Sequence, residues 1–311
     1  LTDRPENRHI PQDPPPGYHR DNYTAITMSP EKIGTQPYAL HHRFLNNTLR
    51  GMIAQDQLFH GHQLPNSKRS WNATNYPGGN HGYLNADHHT RRQIAQDHLS
   101  HALGILYFLQ NDDSVPDDIR ESARKWGLAK DEFVSHDLIP PQLYVREGRR
   151  MVGRTTFTEF DNIIAPEIKR SPIHFDSIGI TEFPIDSLAC STERMPGTLN
   201  DGQFFLMELS RPGQIPWRVM LPECVDNLIV PVATSTSHVA WGTVRQTPTL
   251  IHISESSAVA AVIAHKSGCV VGEIEVNQLQ RQLVKRGIML SFFNDFDMST
   301  KASWVGAVQY F

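Results

Sequence analysis

Three groups of residues have the types and spacing to do chemistry. The first is the run Thr234-Ser235-Thr236-Ser237-His238, followed seven residues on by Arg245. An imidazole titrates near neutrality, so His238 suits proton transfer or the holding of a ligand carbonyl. A structural histidine bonded to backbone accounts for it equally well. Arg245 sits among apolar neighbours, where a guanidinium pairs either with an anionic ligand or with a carboxylate of the protein. Asp226 and Glu255 are the carboxylates expected to meet it. The second group is Arg146, Arg149 and Arg150, with Glu147 balancing one of them. Such a set could grip an acidic substrate through bidentate forks, and a solvated basic loop explains it as well. The third group is histidine: sixteen in all, with His41-His42, His60-x-His62 and His88-His89 the close sets. Adjacent helical residues point about 100° apart, and the HExxH pattern is absent, so no metal site is expected. The sequence holds no GxSxG elbow, P-loop or GxGxxG fingerprint. Gly78-Gly79 and Gly82 lack the strand before and the helix after that a dinucleotide turn requires.

Composition narrows the classes. The 311 residues allow two domains or one large one. Apolar content of 39% and charged content of 20% suit a packed globular chain rather than a disordered one. Net charge is -4, which gives no bulk attraction to nucleic acid or an anionic membrane. No apolar run nears the roughly 20 residues of a membrane-spanning helix. Cys190, Cys224 and Cys269 form no close pair, which argues against a disulfide framework or a cysteine zinc site. Sequons at Asn22, Asn46 and Asn72 barely favour secretion. The chain opens on Leu1 and stops within an apolar run, and it reads as a processed or excised piece of a longer polypeptide.

The elements that position these groups centre on Trp217–Gly268. An apolar run, Leu228 to Val232, reads as a buried strand. The hydroxyl-rich loop with His238 follows, and then a helix with small residues from Ser256 to His265, capped by Gly268. A loop between strand and helix is a common ligand site. Earlier, residues 1 to 37 read as an extended, proline-rich surface segment. Leu64 to Tyr83 is a long ordered loop. A helix is expected from Ala86 to Asn111, with Asp87 as N-cap and a stripe of Ile94, Leu99, Ala102, Leu103, Leu106 and Leu109. A second helix is expected over Pro116 to Trp126, and a short one over Phe157 to Ile164. Strands are expected at Leu143–Met151, Ile178–Ile185, Gln203–Leu209 and Gln214–Val219. An amphipathic helix over 276 to 287, ended by Gly287, closes the pattern.

The run LPECVDNLIVPVATSTSHVAWGTVRQTPT resembles the C-terminal flavin-binding segment of FAD-dependent oxidoreductases with the glutathione-reductase type of fold. Their pattern there is a Leu-Pro turn, V-D-N-L-L-V, a Ser-His-x-Ala-x-Gly-Ser-x-Arg run and a Pro. The stretches LTDRPENRHIPQDPPPGY, PNSKRSWNATNYPGGNHGYLNAD, RKWGLAKDEF, PQLYVREGRRMVG and IGITEFPIDS are similar to the cap or substrate domain of one large branch of that family. The likeness covers nearly the whole chain. Three departures stand out. The family's N-terminal half, with its GxGxxG and ribose-binding acid, is missing. Where the family's helix opens on Gly-Gln, this chain has Ile253-Ser254-Glu255-Ser256-Ser257. Its Asp-Ser-His has become Asp186-Ser187-Leu188.

The mixture of irregular strands and segregated helices suggests an α+β fold. Residues 1–216 would form a mixed-sheet substrate or cap domain with helices. Residues 217–311 would supply a strand, loop and helix completing a Rossmann-like FAD domain. The resemblance implies FAD as cofactor, contacted by Asp226, Ser235, Ser237, His238, Arg245, Ser254, Glu255 and Ser256. His238, Arg245, Arg146 and Arg150 would be the catalytic set acting on a small organic substrate by hydride transfer. A second chain would carry the N-terminal FAD half, and neither nucleic acid nor membrane is an expected partner. Two alternatives stand beside this reading: a flavin-free descendant catalysing an isomerisation or cyclisation, and a non-catalytic binding subunit.

Overall fold

The computed structural model describes residues 1–311 apart from 60, 196, 197, 294, 296–299, 301, 303 and 311. His60, of the His60-x-His62 pair, lies outside the described residues. The fold is α+β, with helices and small antiparallel sheets. Two compact units form: Leu1–Tyr144 with Leu188–Gln203 (unit 1), and Val145–Ser187 with Phe204–Phe311 (unit 2).

Unit 1 carries strands β1 (Arg8–His9), β2 (Gln63–Leu64), β3 (Lys68–Arg69) and β4 (Leu128–Ala129). Its helices are α1 (Pro30–Ile33), α2 (His42–Asn46), α3 (Leu49–Ala54), α4 (His88–Asn111) and α5 (Asp117–Ala123). Strand β1 pairs antiparallel with β4, and β2 with β3. Asp87 caps α4 as expected: its carboxylate accepts the Thr90 N–H at 2.8 Å. The buried stripe of α4 lies towards its C-terminal half, through Ile105, Leu106, Phe108 and Leu109. Ile94 and Leu99 are only half-buried. Gly104 is required on that face, because a Cβ there would collide with the Tyr23 phenol.

The proline-rich opening runs along the surface over residues 3–22, apart from buried Pro15, but not beyond. Tyr23, Ala25, Ile26 and Ile33 are buried in the unit 1 core with Phe44, Leu45, Phe108 and Leu109. Thr2 exchanges backbone hydrogen bonds with Gly127 at 2.9 and 3.0 Å. Few apolar residues occur in this segment, but they are the large ones, and burying them outweighs its polar average.

Unit 2 holds β5 (Ser177–Thr181), β6 (Asp186–Ser187), β7 (Phe204–Phe205) and β8 (Gly213–Pro216), with α6 (His238–Val244), α7 (Thr247–Ser267), α8 (Val276–Lys285) and α9 (Trp304–Tyr310). Strand β5 pairs antiparallel with β8, with an irregularity between Ser177 and Ile180, and β6 pairs with β7. The small residues of α7 let it sit close on β5, where the Ser256 hydroxyl donates to the Ile178 carbonyl at 2.9 Å. The amide of Gln280 on α8 donates to the carbonyls of Phe175 and Ser177 at 2.9 and 3.0 Å. Gly268 (φ 65°) and Gly287 (φ 82°) take the left-handed conformation that ends α7 and follows α8.

Two expected strands do not form. Leu143–Met151 is irregular, and so is Leu228–Val232. The latter is not buried either, with Leu228 45% and Val232 54% exposed. A strand exists only through a ladder with a neighbour, and among the described residues this run makes a single such bond, Val230 N–H to the Met220 carbonyl (2.9 Å). Asn227, Leu228 and Ile229 instead line a groove of about 520 Å³ against the last turns of α7. No described helix is long and apolar enough to cross a membrane.

Candidate active site

The chain from Met151 to Phe157 runs beside residues 219–237. Met151 N–H bonds the Ala233 carbonyl (2.9 Å), Arg154 N–H that of Leu221 (2.9 Å) and Phe157 N–H that of Ser235 (3.0 Å). This threading delivers the basic run Arg146–Arg150 to the N-terminus of α6. Ser237 caps that helix, accepting the Ala240 N–H at 3.1 Å and donating to the Glu159 carboxylate at 3.0 Å. His238 opens it.

Glu147 is the first hub. Its Oε1 meets Nδ1 of His238 at 2.8 Å and also pairs with the Arg150 guanidinium. Nε of Arg150 donates to the Thr236 carbonyl at 2.8 Å. His238 remains 42% exposed on its side chain, and its ring meets the Phe204 ring edge to face at 6.2 Å. Asp186 is the second hub. Its Oδ2 accepts from Arg245 at 2.6 Å and from Arg146 at 3.0 Å. Arg245 at the end of α6 is the more deeply buried, with 7% of its side chain exposed. The Trp241 indole donates to the Arg146 carbonyl at 2.9 Å and so fixes that backbone against α6. Gly242 allows the approach, since a Cβ there would fall 2.5 Å from the Asp186 carbonyl oxygen. Three guanidiniums therefore face two carboxylates, with Glu159 a third carboxylate at the Ser237 cap. Nε of Arg146 is buried and has no acceptor.

The structure thus gathers His238, Arg245, Arg146 and Arg150 in one cluster, with Ser237 and Ser235 on the strip leading into it. Ser235 is buried, its hydroxyl 3.1 Å from that of Thr156. Arg149 is exposed. Arg245 does not pair with Asp226 or Glu255: Asp186 is its carboxylate, since β6 lies directly against α6. Asp226 is exposed and meets Arg154 at 3.4 Å. Glu255 meets Arg286 at 3.6 Å. Ser254, Glu255 and Ser256 lie beyond the first turn of α7, so their N–H groups belong to the helix ladder. Among the described residues, none of these four shares a hydrogen-bond or ion-pair partner with the cluster. Glu147 balances Arg150, as the charge pattern of the run suggested, but its contact with His238 spans 91 residues, and Asp186 was not singled out as a partner because its arginines lie 40 and 59 residues away. The three cysteines form no disulfide, and no described group of three or more His, Cys, Asp or Glu is gathered to hold a metal.

A model of the family described as FAD dependent oxidoreductase matches residues 5–283. The chain belongs to this family. No curated protein and no solved structure shows a significant match. Membership implies a flavoprotein redox function that uses FAD. The cluster fits one part of that group. Nε of Arg146 is a shielded donor still lacking an acceptor, which suits the carbonyl-rich edge of a flavin ring or an anionic substrate.

Proposed function

We propose that the chain supplies the substrate side and the C-terminal flavin-contacting segment of a glutathione-reductase-type oxidoreductase acting on a small organic substrate. Residues 1–216 serve as substrate or cap domain and residues 217–311 complete an FAD-binding domain, a division by role rather than by packing. No GxGxxG turn lies within these 311 residues, so the proposal takes the ADP-holding half from outside them, on a second chain. FAD, when bound, accepts or donates the hydride.

The chain's own residues then orient charge and move a proton. Ser235, Ser237, His238 and Arg245 contact the ring system. Arg146 and Arg150 face an acidic substrate. A carboxylate at Nδ1 of His238 favours the Nδ1–H tautomer and leaves Nε2 basic. That nitrogen takes up the proton released when a substrate X–H loses its hydride elsewhere. Asp226, Ser254 and Glu255 hold the more distant parts of the cofactor, whereas Ser256 is buried against β5 and serves the packing of α7 instead. The observation that carries this reading is the shared Asp186 carboxylate, which holds Arg245 and Arg146 together at the end of α6.

Flavin retention and turnover of Arg245→Ala test it. Visible flavin absorbance should be lost from the folded variant, or turnover should fall at least about 100-fold, the usual scale for losing one preorganised charge contact. Wild-type retention and turnover in a folded Arg245→Ala protein would overturn the proposal.

A further inference from the structure

We infer that unit 1 contains a binding site for a small oxyanion, a carboxylate or phosphate group, held between Arg43 and Arg194 and flanked by the amides of Asn200 and Gln203. Four neighbouring side chains carry buried polar atoms with no partner. They are Nη1 of Arg43, Nε and Nη1 of Arg194, both amide atoms of Asn200, and Oε1 of Gln203. Native interiors leave few such atoms, and each usually marks a missing water, ion or ligand. Here they concentrate in one place. Arg43 and His42 lie on α2, and Arg194 donates to Asn46 of the same helix at 2.8 Å. Arg194 and Asn200 face each other across an isolated antiparallel bridge. The Gln203 amide donates to Nδ1 of His42.

The charge is as uneven as the hydrogen bonding. Neither Arg43 nor Arg194 forms an ion pair among the described residues, although Glu193 and Asp201 belong to the same hairpin. Burial pushes both guanidiniums below their ordinary range. His42 is driven down to about 4, by burial first and then by the positive charge of Arg43 and Arg194. It is therefore neutral at neutral pH and does not compete for an anion. A buried cation without a counterion is costly. Two of them, with a half-buried side open to solvent, fit a bidentate oxyanion. Asn200, 2% exposed, offers both a donor and an acceptor to the rest of the ligand.

This site does not depend on the flavin reading, and its test uses no flavin signal. The full chain is titrated with sodium phosphate, acetate and succinate against sodium chloride at matched ionic strength, followed by thermal unfolding and calorimetry. Phosphate or a carboxylate should bind and raise Tm with concentration, beyond chloride. A response confined to phosphate assigns a phosphate-bearing ligand, and one confined to acetate or succinate assigns an organic acid. Arg43→Met and Arg194→Met should each weaken binding at least tenfold. Neither should lower Tm in chloride, because each removes an unpaired buried cation. Arg194→Lys keeps the charge but not the fork, and should bind between wild type and Arg194→Met. A response no greater than that to chloride, or wild-type binding in folded Arg43→Met or Arg194→Lys, would overturn the site.

Discussion

Two sets of shielded arginines, one in each unit, live in opposite circumstances, although Arg69 and Arg120 of unit 1 do pair with carboxylates of Asp56, Asp113 and Asp117. In unit 2, Arg245 and Arg146 share Asp186, Arg150 has Glu147, and Arg218 has Asp176, whose side chain is 1% exposed. In unit 1, Arg43 and Arg194 have amide and imidazole neighbours but no carboxylate. Removing a guanidinium from water is unfavourable in both cases. Unit 2 offsets the penalty within its own chain, so its cluster is preformed, whereas the unit 1 pair lacks that compensation. A preformed cluster can stabilise charge in a reaction, while an uncompensated one is suited to a ligand that brings the charge with it.

The comparison is tested hardest at Asp186, since Asp186→Asn would take from Arg245 and Arg146 the carboxylate they share. Breaking a buried pair from one side costs about 4 kcal/mol, and chemical denaturation should show a loss of that order, partly recovered by added acetate. An unchanged midpoint would mean that the Asp186 pairing carries no stability and that the two units differ less than their geometry implies.

Unit 1 also predicts a pH dependence. His101 is 6% exposed, stacks on Tyr76 at 4.4 Å and meets the Asn75 carbonyl at 3.2 Å. Burial holds its pKa down to about 4 from 6.5. The unfolded chain therefore binds this proton at a higher pH than the folded one. Stability is full above pH 6.5 and falls as pH drops towards 4. That gap corresponds to about 3 kcal/mol for this one residue. His42 and His98, both lowered chiefly by burial, act in the same direction. Denaturation of His101→Gln between pH 7 and about 4 should show a slope smaller by one proton, and an unchanged slope would remove His101 from the account.

How much of this was legible in the sequence follows from how local each signal is. The long helices carry their own punctuation: Asp87 before α4, Gly268 after α7 and Gly287 after α8. Each was placed to within a few residues, except that α7 begins earlier than its small-residue run suggested. The run Leu228–Val232 has strand composition, yet a strand needs a partner that composition cannot supply. Arg146, Arg150, Arg245 and His238 stood out by type. Glu147 stood out as a counter-charge within its own run, but neither its contact with His238 nor the role of Asp186 did, because those pairings close over 40 to 91 residues. The unit 1 arginines were invisible for the same reason. Arg194 reaches α2 only because residues 188–203 fold into unit 1.

The smallest effect separates the two units by function rather than by stability. Ser237 caps α6 and Thr48 caps α3 by the same device, a side-chain oxygen accepting an N–H of the first turn, at 3.1 and 3.2 Å. Replacing either with alanine should cost about 1 kcal/mol, the usual worth of an N-cap. The consequences then diverge. Ser237 precedes His238 and also holds Glu159, so Ser237→Ala should loosen the His238–Glu147 contact and lower turnover several-fold. Thr48→Ala carries the same loss of stability with no such neighbour, and its turnover should match wild type. Equal turnover in the two variants would mean that the N-terminus of α6 does not set the geometry of His238, and the proton-transfer role would then have to leave that residue.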